Sequence, residues 1–418
     1  MKILATSDWH LGNLFHGNDR LPEHKHFLGW LLRQVEELQP DALLVAGDIF
    51  DNGNPSAAAQ SAYYEFLADV TKTAPDIQII ITAGNHDSAS RLEAPRPLLS
   101  RHKVEIRGTI HRTWQTDGQG GSWQIDYDDL IIPLKEEAAV LAVPYLRSDM
   151  VQDADYSSGV RRFLKRLTDR ARERYPRRKL VMMAHMYATG ADIARKDASE
   201  KIVVGGQEQV DMENWTGHPD YLTCGHIHKQ QPIRNTGWAR YTGSVLPMSF
   251  AEKDYTHGVD LVTLGDAEEI KVEHLLYEPQ HRLRILPEDD LELTPKKLEK
   301  LIHAQLSEKT GEHPDEHFDY VVLKVKQEKV SNDDIKELER LVNTKNAVLC
   351  KIQKIIPAVD IGTLTGTQQI TSIDDILDRD PMETISETFL IHHQTDMNEH
   401  QKQMLTELLN QIKVEENN

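Results

Sequence analysis

Cysteine is nearly missing from this chain: Cys224 and Cys350 are the only two among 418 residues. A disulfide framework is excluded, and the usage fits a reducing cytoplasm. Long apolar runs are missing too. No stretch reaches the roughly 20 residues that span a bilayer, so no membrane association is expected. The N-terminal Met1-Lys2-Ile3-Leu4-Ala5-Thr6 lacks the extended apolar core and cleavage site of a secretion signal. Positive charge is in deficit, with 48 Lys and Arg against 67 Asp and Glu, a net of -19. That balance argues against holding nucleic acid by bulk charge alone. It leaves room for metal ions or a partner subunit to supply the positive surface. No internal repeat is present.

What the chain does have is alternation. At 418 residues it exceeds what one core usually serves, which predicts two or three domains. Short aliphatic runs such as Ala42-Leu43-Leu44-Val45-Ala46 and Ile79-Ile80-Ile81 read as strands buried on both faces. Helical stretches, His26 to Leu38 and Ala57 to Thr71, lie between them. The expectation is an α/β fold, with a layered sandwich over residues 1–280. The patch Asp117-Gly118-Gln119-Gly120-Gly121 reads as a hairpin or exposed loop. Residues 281–360 read strand, helix, strand, helix, strand, with helices Pro295 to Leu306 and Asn332 to Val342. They carry no cluster of metal-type residues and predict a small second α/β domain. Residues 361–418 open on a polar linker and hold 11 acids against 3 bases. Met382, Ile385 and Phe389, then Met404, Leu405, Leu408, Leu409 and Ile412, follow helical spacing. This helical hairpin either packs on its own domain or docks a partner. One basic run departs from the acidic background, from Arg161 to Lys179. It reads as a solvated helix face or as a phosphate-contact strip.

The chemistry lies where apolar segments end. Thr6-Ser7-Asp8-Trp9-His10 follows the first strand-like run; Gly47-Asp48-Ile49-Phe50-Asp51 follows the second. Gly84-Asn85-His86-Asp87 follows Ile77 to Thr82, His185 follows Leu180 to Ala184, and Gly225-His226-Ile227-His228 follows Tyr221 to Cys224. Each alone is weak: Asp-x-His recurs by chance, and Gly-Asn favours turns. Together they would line one rim, because sites in open α/β sheets form at strand carboxyl ends. A mixed oxygen and imidazole set without thiolate favours Mn²⁺, Fe²⁺ or Zn²⁺ over Mg²⁺ or Ca²⁺. Asp48, in the middle of the set, is the natural bridge between two ions. A two-ion site suits phosphoester hydrolysis. His16, His24 and His26 have no matching spacing and are expected at the surface.

These residues, in this order and spacing, resemble the calcineurin-like metallophosphoesterases. Val143-Pro144-Tyr145-Leu146-Arg147 and Tyr241-Thr242-Gly243-Ser244-Val245-Leu246-Pro247-Met248-Ser249-Phe250 are similar to segments of the bacterial nuclease subunits that process double-strand breaks. The resemblance covers about the first 280 residues; the rest matches in layout only. It implies one metal held by Asp8, His10, Asp48 and His228, and another held by Asp48, Asn85, His185 and His226. It implies that His86 contacts the scissile phosphate or protonates the leaving oxygen, oriented by Asp51. It further implies two Mn²⁺ per subunit (Fe²⁺ or Zn²⁺ as alternatives), DNA as substrate and an ABC-type ATPase partner. A homodimer formed through helices between Ser56 and Leu99 would give a heterotetramer, cytoplasmic and nucleoid-associated. Two other classes compete: a stand-alone phosphodiesterase or phosphatase on small phosphoesters, and a non-catalytic scaffold for the ATPase.

Overall fold

The computed structural model describes residues 1–355 apart from 117–119, 152, 193–208, 266–269, 289–292, 312, 314–315 and 327–329. Met1–Ile355 form one compact unit. The expected linker and helical tail over 361–418 lie outside the described residues.

The chain opens with β1 (Lys2–Thr6), α1 (Leu21–Leu38), β2 (Ala42–Ala46), α2 (Ala57–Thr73), β3 (Gln78–Thr82) and β4 (Val104–Arg107). A two-stranded ribbon, β5 (Arg112–Thr116) and β6 (Gly121–Ile125), precedes β7 (Ile131–Leu134), β8 (Ala138–Ala142) and α3 (Tyr156–Arg174). Next come β9 (Lys179–His185), β10 (Tyr221–Gly225), β11 (Gln231–Pro232), β12 (Ala239–Tyr241), β13 (His257–Leu264) and β14 (Ile270–Tyr277). The last elements are β15 (Arg282–Leu286), α4 (Pro295–Gln305), β16 (Asp319–Lys326), α5 (Asn332–Asn343) and β17 (Ala347–Ile355).

Two 6-stranded sheets stack face to face, ordered β14-β13-β1-β2-β3-β4 and β11-β12-β10-β9-β8-β7. β1 to β4 are mutually parallel, as are β8, β9, β10 and β12. Period-two alternation sends neighbouring side chains to opposite faces. Ala5, Ala42, Leu44, Ala46, Ala138, Val140, Ala142 and Met183 therefore fill the space between the sheets. The many alanines let the sheets approach closely. On the outer face of the first sheet, Leu43, Val45, Ile79 and Ile81 pack on Phe27, Leu31, Tyr63 and Leu67 of α1 and α2. On the outer face of the second, Leu141, Leu180 and Met182 pack on Phe163, Leu164 and Leu167 of α3. The result is the layered α/β sandwich, helices outside and two sheets within. Ser56 caps α2 by accepting from the Ala59 amide at 3.2 Å.

His24, expected at the surface, is fully buried. It shares the core-facing stripe of α1 with Phe27, Leu28, Leu31 and Val35 at helical spacing. The parallel sheet β15–β16–β17 has its own core, where Leu298, Ile302, Leu338 and Val342 cover Leu286, Val321 and Leu323. The Tyr320 hydroxyl of β16 donates to Glu23 at 3.1 Å, and Glu23 pairs with the buried Arg20. The basic run on α3 is largely neutralised. Arg161, Arg170 and Arg172 meet Asp211, Asp128 and Asp220 from distant segments, Arg162 meets Asp153 just ahead of the helix, and Lys165 meets Asp169 on the same helix. No helix among the described residues is long and apolar enough to cross a membrane.

Candidate metal centre

The loops after β1, β2 and β3 meet the end of β9 and the loop after β10 on one rim. Main-chain bonds lock them: Asp8 N–H donates to Gly47 C=O and His10 N–H to Asp48 C=O, both at 3.0 Å. Across the sheets, His226 N–H donates to Asp8 Oδ1 at 3.0 Å. Asp8, His10, Asp48 and His226 all take positive φ, at 52°, 48°, 51° and 96°. Such backbone is costly outside glycine and clusters at functional sites. Gly47 has φ of 85°, and a Cβ on it would run into the His185 ring.

Asp48 sits at the middle. Its Oδ2 lies 3.7 Å from His10 Nε2 and 3.4 Å from His185 Nε2, while Oδ1 accepts the His86 N–H at 2.8 Å. Asn85 Oδ1 is 2.9 Å from His185 Nε2 and 3.1 Å from His226 Nδ1. Donors around an ion with bonds of about 2.1 Å stand roughly 3.0–3.4 Å apart in octahedral or tetrahedral arrangements. The Asn85–His185, Asn85–His226 and Asp48–His185 separations are close to that spacing. On the other side, Asp8, His10 and His228 bring donor atoms within 4.8 Å of one another. His10 Nε2 is buried with no hydrogen-bond partner, a costly state unless it binds something. The donor set fits two divalent ions. The structure brings together every ligand residue that the resemblance implied.

Tautomers are set from behind. His185 Nδ1–H donates to the Ala46 carbonyl at 2.9 Å, and His228 Nδ1–H donates to Glu252 Oε1 at 3.0 Å. Each leaves Nε2 for a ligand. Burial lowers the His226 pKa to about 3 and the His10 pKa well below normal, so both rings are neutral donors. Burial pushes the Asp48 carboxyl up, but the imidazoles of His185, His10 and His86 outweigh it and hold the group below the carboxylate range. Burial likewise works against a charged His185, yet Asp48 and Asp8 raise its pKa to about 9. A proton on His185 and a cation therefore compete for the same place.

His86 stands edge-on to His10, ring centres 4.8 Å apart. Its Nδ1–H donates to the main-chain carbonyl of Asp51 at 2.8 Å. Asp51 thus reaches His86 through its backbone and not its carboxylate, which accepts from Asn13 Nδ2 at 2.8 Å. Sequence reasoning also missed two carboxylates, one buried and one half-buried. Glu252 backs His228. Asp87 accepts the amides of Gly84, Ile49 and Phe50 and so ties the loops after β2 and β3 together. Burial and the Asp48 charge raise the Asp87 pKa to about 6. Asp87 stood in a motif without a role, and Glu252 had no local signal. A further acid–imidazole group, Glu93, His111 and Asp129, is filled by the guanidiniums of Arg96 and Arg107.

The family model for the calcineurin-like phosphoesterases matches residues 1–230. The chain is 36% identical over 280 residues to the SbcD component of the SbcCD nuclease of Rhodobacter capsulatus, covering 63% of this chain and 67% of that one. It is 30% identical over 289 residues to the component of that name in Escherichia coli, covering 66% and 68%. The Bacillus subtilis counterpart is 30% identical over 282 residues, covering 66% and 69%.

Proposed function

Because this chain belongs to the calcineurin-like phosphoesterases and, within them, to the SbcD components of SbcCD nucleases, we propose that the ligand-lined rim is where it hydrolyses DNA phosphodiesters. In this reading one Mn²⁺ is held by Asp8, His10, Asp48 and His228, and a second by Asp48, Asn85, His185 and His226. Fe²⁺ or Zn²⁺ could take the same donors. Bound ions would supply the charge that activates water and offsets the negative charge growing on the phosphate. The observation that carries the reading is the Asp48 carboxylate, with Oδ2 set between His10 and His185.

The protein groups do the rest. Ala46 and Glu252 keep His185 and His228 in the ligand tautomer. The Asp51 carbonyl fixes His86 at Nδ1, so its Nε2 is the atom left to meet the phosphate. When that ring is doubly protonated, Nε2–H gives its proton to the leaving oxygen.

The activity is read as single-strand endonuclease and 3′–5′ double-strand exonuclease cleavage. Residues 281–360 serve as a capping domain, and residues 361–418 dock an SbcC-type ABC ATPase. A homodimer completes a heterotetramer on cytoplasmic, nucleoid-associated DNA; exposed Tyr64 and Leu98 lie in the helical stretch assigned to the dimer contact.

The test is cleavage of linear duplex and hairpin DNA in Mn²⁺, with and without the ATPase, beside a small chromogenic diester. DNA cleavage is expected. Turnover of the small diester alone, even with the ATPase present, refutes the nuclease reading. Deleting residues 375–418 should abolish co-purification of the ATPase while sparing Mn²⁺-dependent single-strand cleavage. Unchanged co-purification refutes the docking role.

A further inference from the structure

Two indoles stand in solvent on the β5–β6 ribbon. Trp114 and Trp123 are a direct cross-strand pair, 54% and 63% exposed, with ring centres 5.6 Å apart in a T-shaped arrangement. Large exposed aromatics mark a surface that something covers.

A row of three clefts runs from Asn85 of the metal centre to Trp123 of the ribbon. Its first stretch, about 400 Å³, starts at Gly84 and Asn85 and passes Tyr145 and Arg147 to Met150. The second, about 230 Å³, continues from Met150 past Arg162 to Arg112 and Arg166. The third, about 840 Å³, begins at Arg112 and Arg166 and ends at Trp123 and Arg170. Neighbouring clefts share walls, Met150 between the first and second and Arg112, Ile125, Tyr127 and Arg166 between the second and third. Arg162, Arg166 and Arg170 recur every fourth residue of α3 and so present one helix face to them. Two of the three, Arg162 and Arg170, are the arginines paired with Asp153 and Asp128.

We propose that this groove is the track for a single DNA strand running to or from the metal centre, with its bases stacking on Trp114 and Trp123. The proposal rests on the nuclease reading and deepens it. Charge selects the occupant. Arg112 has no ion-pair partner among the described residues, and the Arg147 pair with Asp149, at 3.3 Å, is exposed. Arg162 and Arg170 are held by exposed Asp153 and Asp128 pairs that phosphate can replace. Arginines along a groove with aromatics at its end follow the logic of single-strand binding, in which cations track the backbone and any base can stack. A duplex keeps its bases paired and inaccessible to such a platform. Continuity with Asn85 places the track at the reacting phosphate.

The test uses the full chain and a fluorescently labelled oligodeoxythymidine, with anisotropy read in EDTA at fixed salt. Trp114→Ala/Trp123→Ala is expected to bind it at least about tenfold more weakly. Trp114→Phe/Trp123→Phe should restore most of the affinity, since phenyl rings also stack. Arg112→Ala/Arg166→Ala should flatten the salt dependence of binding. An unchanged thermal midpoint reports that the ribbon variants are folded. Wild-type affinity in the alanine pair overturns the proposal. So does an alanine pair that holds the oligonucleotide but loses the ATPase, which makes the surface a protein contact. In both cases wild-type cleavage of DNA leaves the nuclease reading standing. A wild-type chain that neither cleaves DNA nor binds the oligonucleotide sinks both.

Discussion

Replacing Glu252 with alanine isolates what the support behind a ligand contributes. Glu252 is fully buried, and its two oxygens have separate tasks. Oε1 accepts from His228 Nδ1 at 3.0 Å, and Oε2 accepts from the Met248 N–H at 2.8 Å. Losing the first lets the ring rotate and change tautomer, which typically costs about 10–100-fold in metal affinity, or roughly 1.4–2.8 kcal/mol. Losing the second strands a buried amide, worth about 1–3 kcal/mol of folding stability. Glu252→Gln keeps the volume and one acceptor but turns an N–H toward Met248, so it should fall between. Titration calorimetry with Mn²⁺ reads affinity, and urea unfolding reads stability. DNA cleavage should largely recover at saturating Mn²⁺, because the defect lies in holding the ion. Wild-type Mn²⁺ affinity in Glu252→Ala would falsify the argument that this carboxylate orients His228.

His86→Ala should lower the single-turnover rate of DNA cleavage by about 10²–10⁴-fold. Mn²⁺ affinity should change little, because the main-chain amide of His86, not its ring, bonds Asp48; unchanged cleavage removes His86 from the chemistry. Arg20→Met leaves Glu23 buried without its cation and should cost about 3–5 kcal/mol in urea unfolding; a loss under about 1 kcal/mol means the pair is not structurally important. The pH dependence of stability follows from buried histidines. Burial lowers His257 to about 4 and His24 to about 3, whereas the unfolded chain protonates near 6.5. The unfolded state binds more protons below that value, so stability is intact above about pH 6.5 and falls toward pH 4, by up to about 1.4 kcal/mol per unit for each ring. His257→Gln should flatten that slope relative to wild type, and parallel profiles from pH 7.5 to 4.5 would contradict it.

The candidate ligands stand out in the sequence because their chemistry is local. Each stands within a few residues of a strand end, and a buried parallel strand announces itself as an aliphatic run. Helix α5 of the small unit stands out by its own spacing, Asn332–Asn343 running one residue past the expected Val342. What stayed hidden depends on distant partners. His24 looked like a surface residue until its spacing with Phe27, Leu31 and Val35 is read as one helix face. The pairing of the basic run is hidden because Asp128, Asp211 and Asp220 come from other segments. Glu252 lies 24 residues from His228, and nothing in its neighbourhood marks it as the group behind a ligand. Asp51 is the residue expected behind His86, but it acts through its main-chain carbonyl, an atom that every residue possesses and no side-chain pattern singles out.

The ligand loops also say what holds the site in shape. Four of the candidate ligand residues sit at positive φ, each at a cost of order 1–3 kcal/mol. Strain of that size persists only where the surroundings over-determine the backbone. Here the restraints are protein bonds: Asp8 to Gly47, His10 to Asp48, His226 to Asp8 and His185 to Ala46. All run between loops on strands that are buried on both faces. The fold therefore carries the strain and presents the donors before any ion arrives. A cation gains little by reorganising these loops, and it must first displace the proton that Asp48 and Asp8 hold on His185. On this account, metal affinity is governed by pH and by the residues behind the imidazoles more than by loop closure.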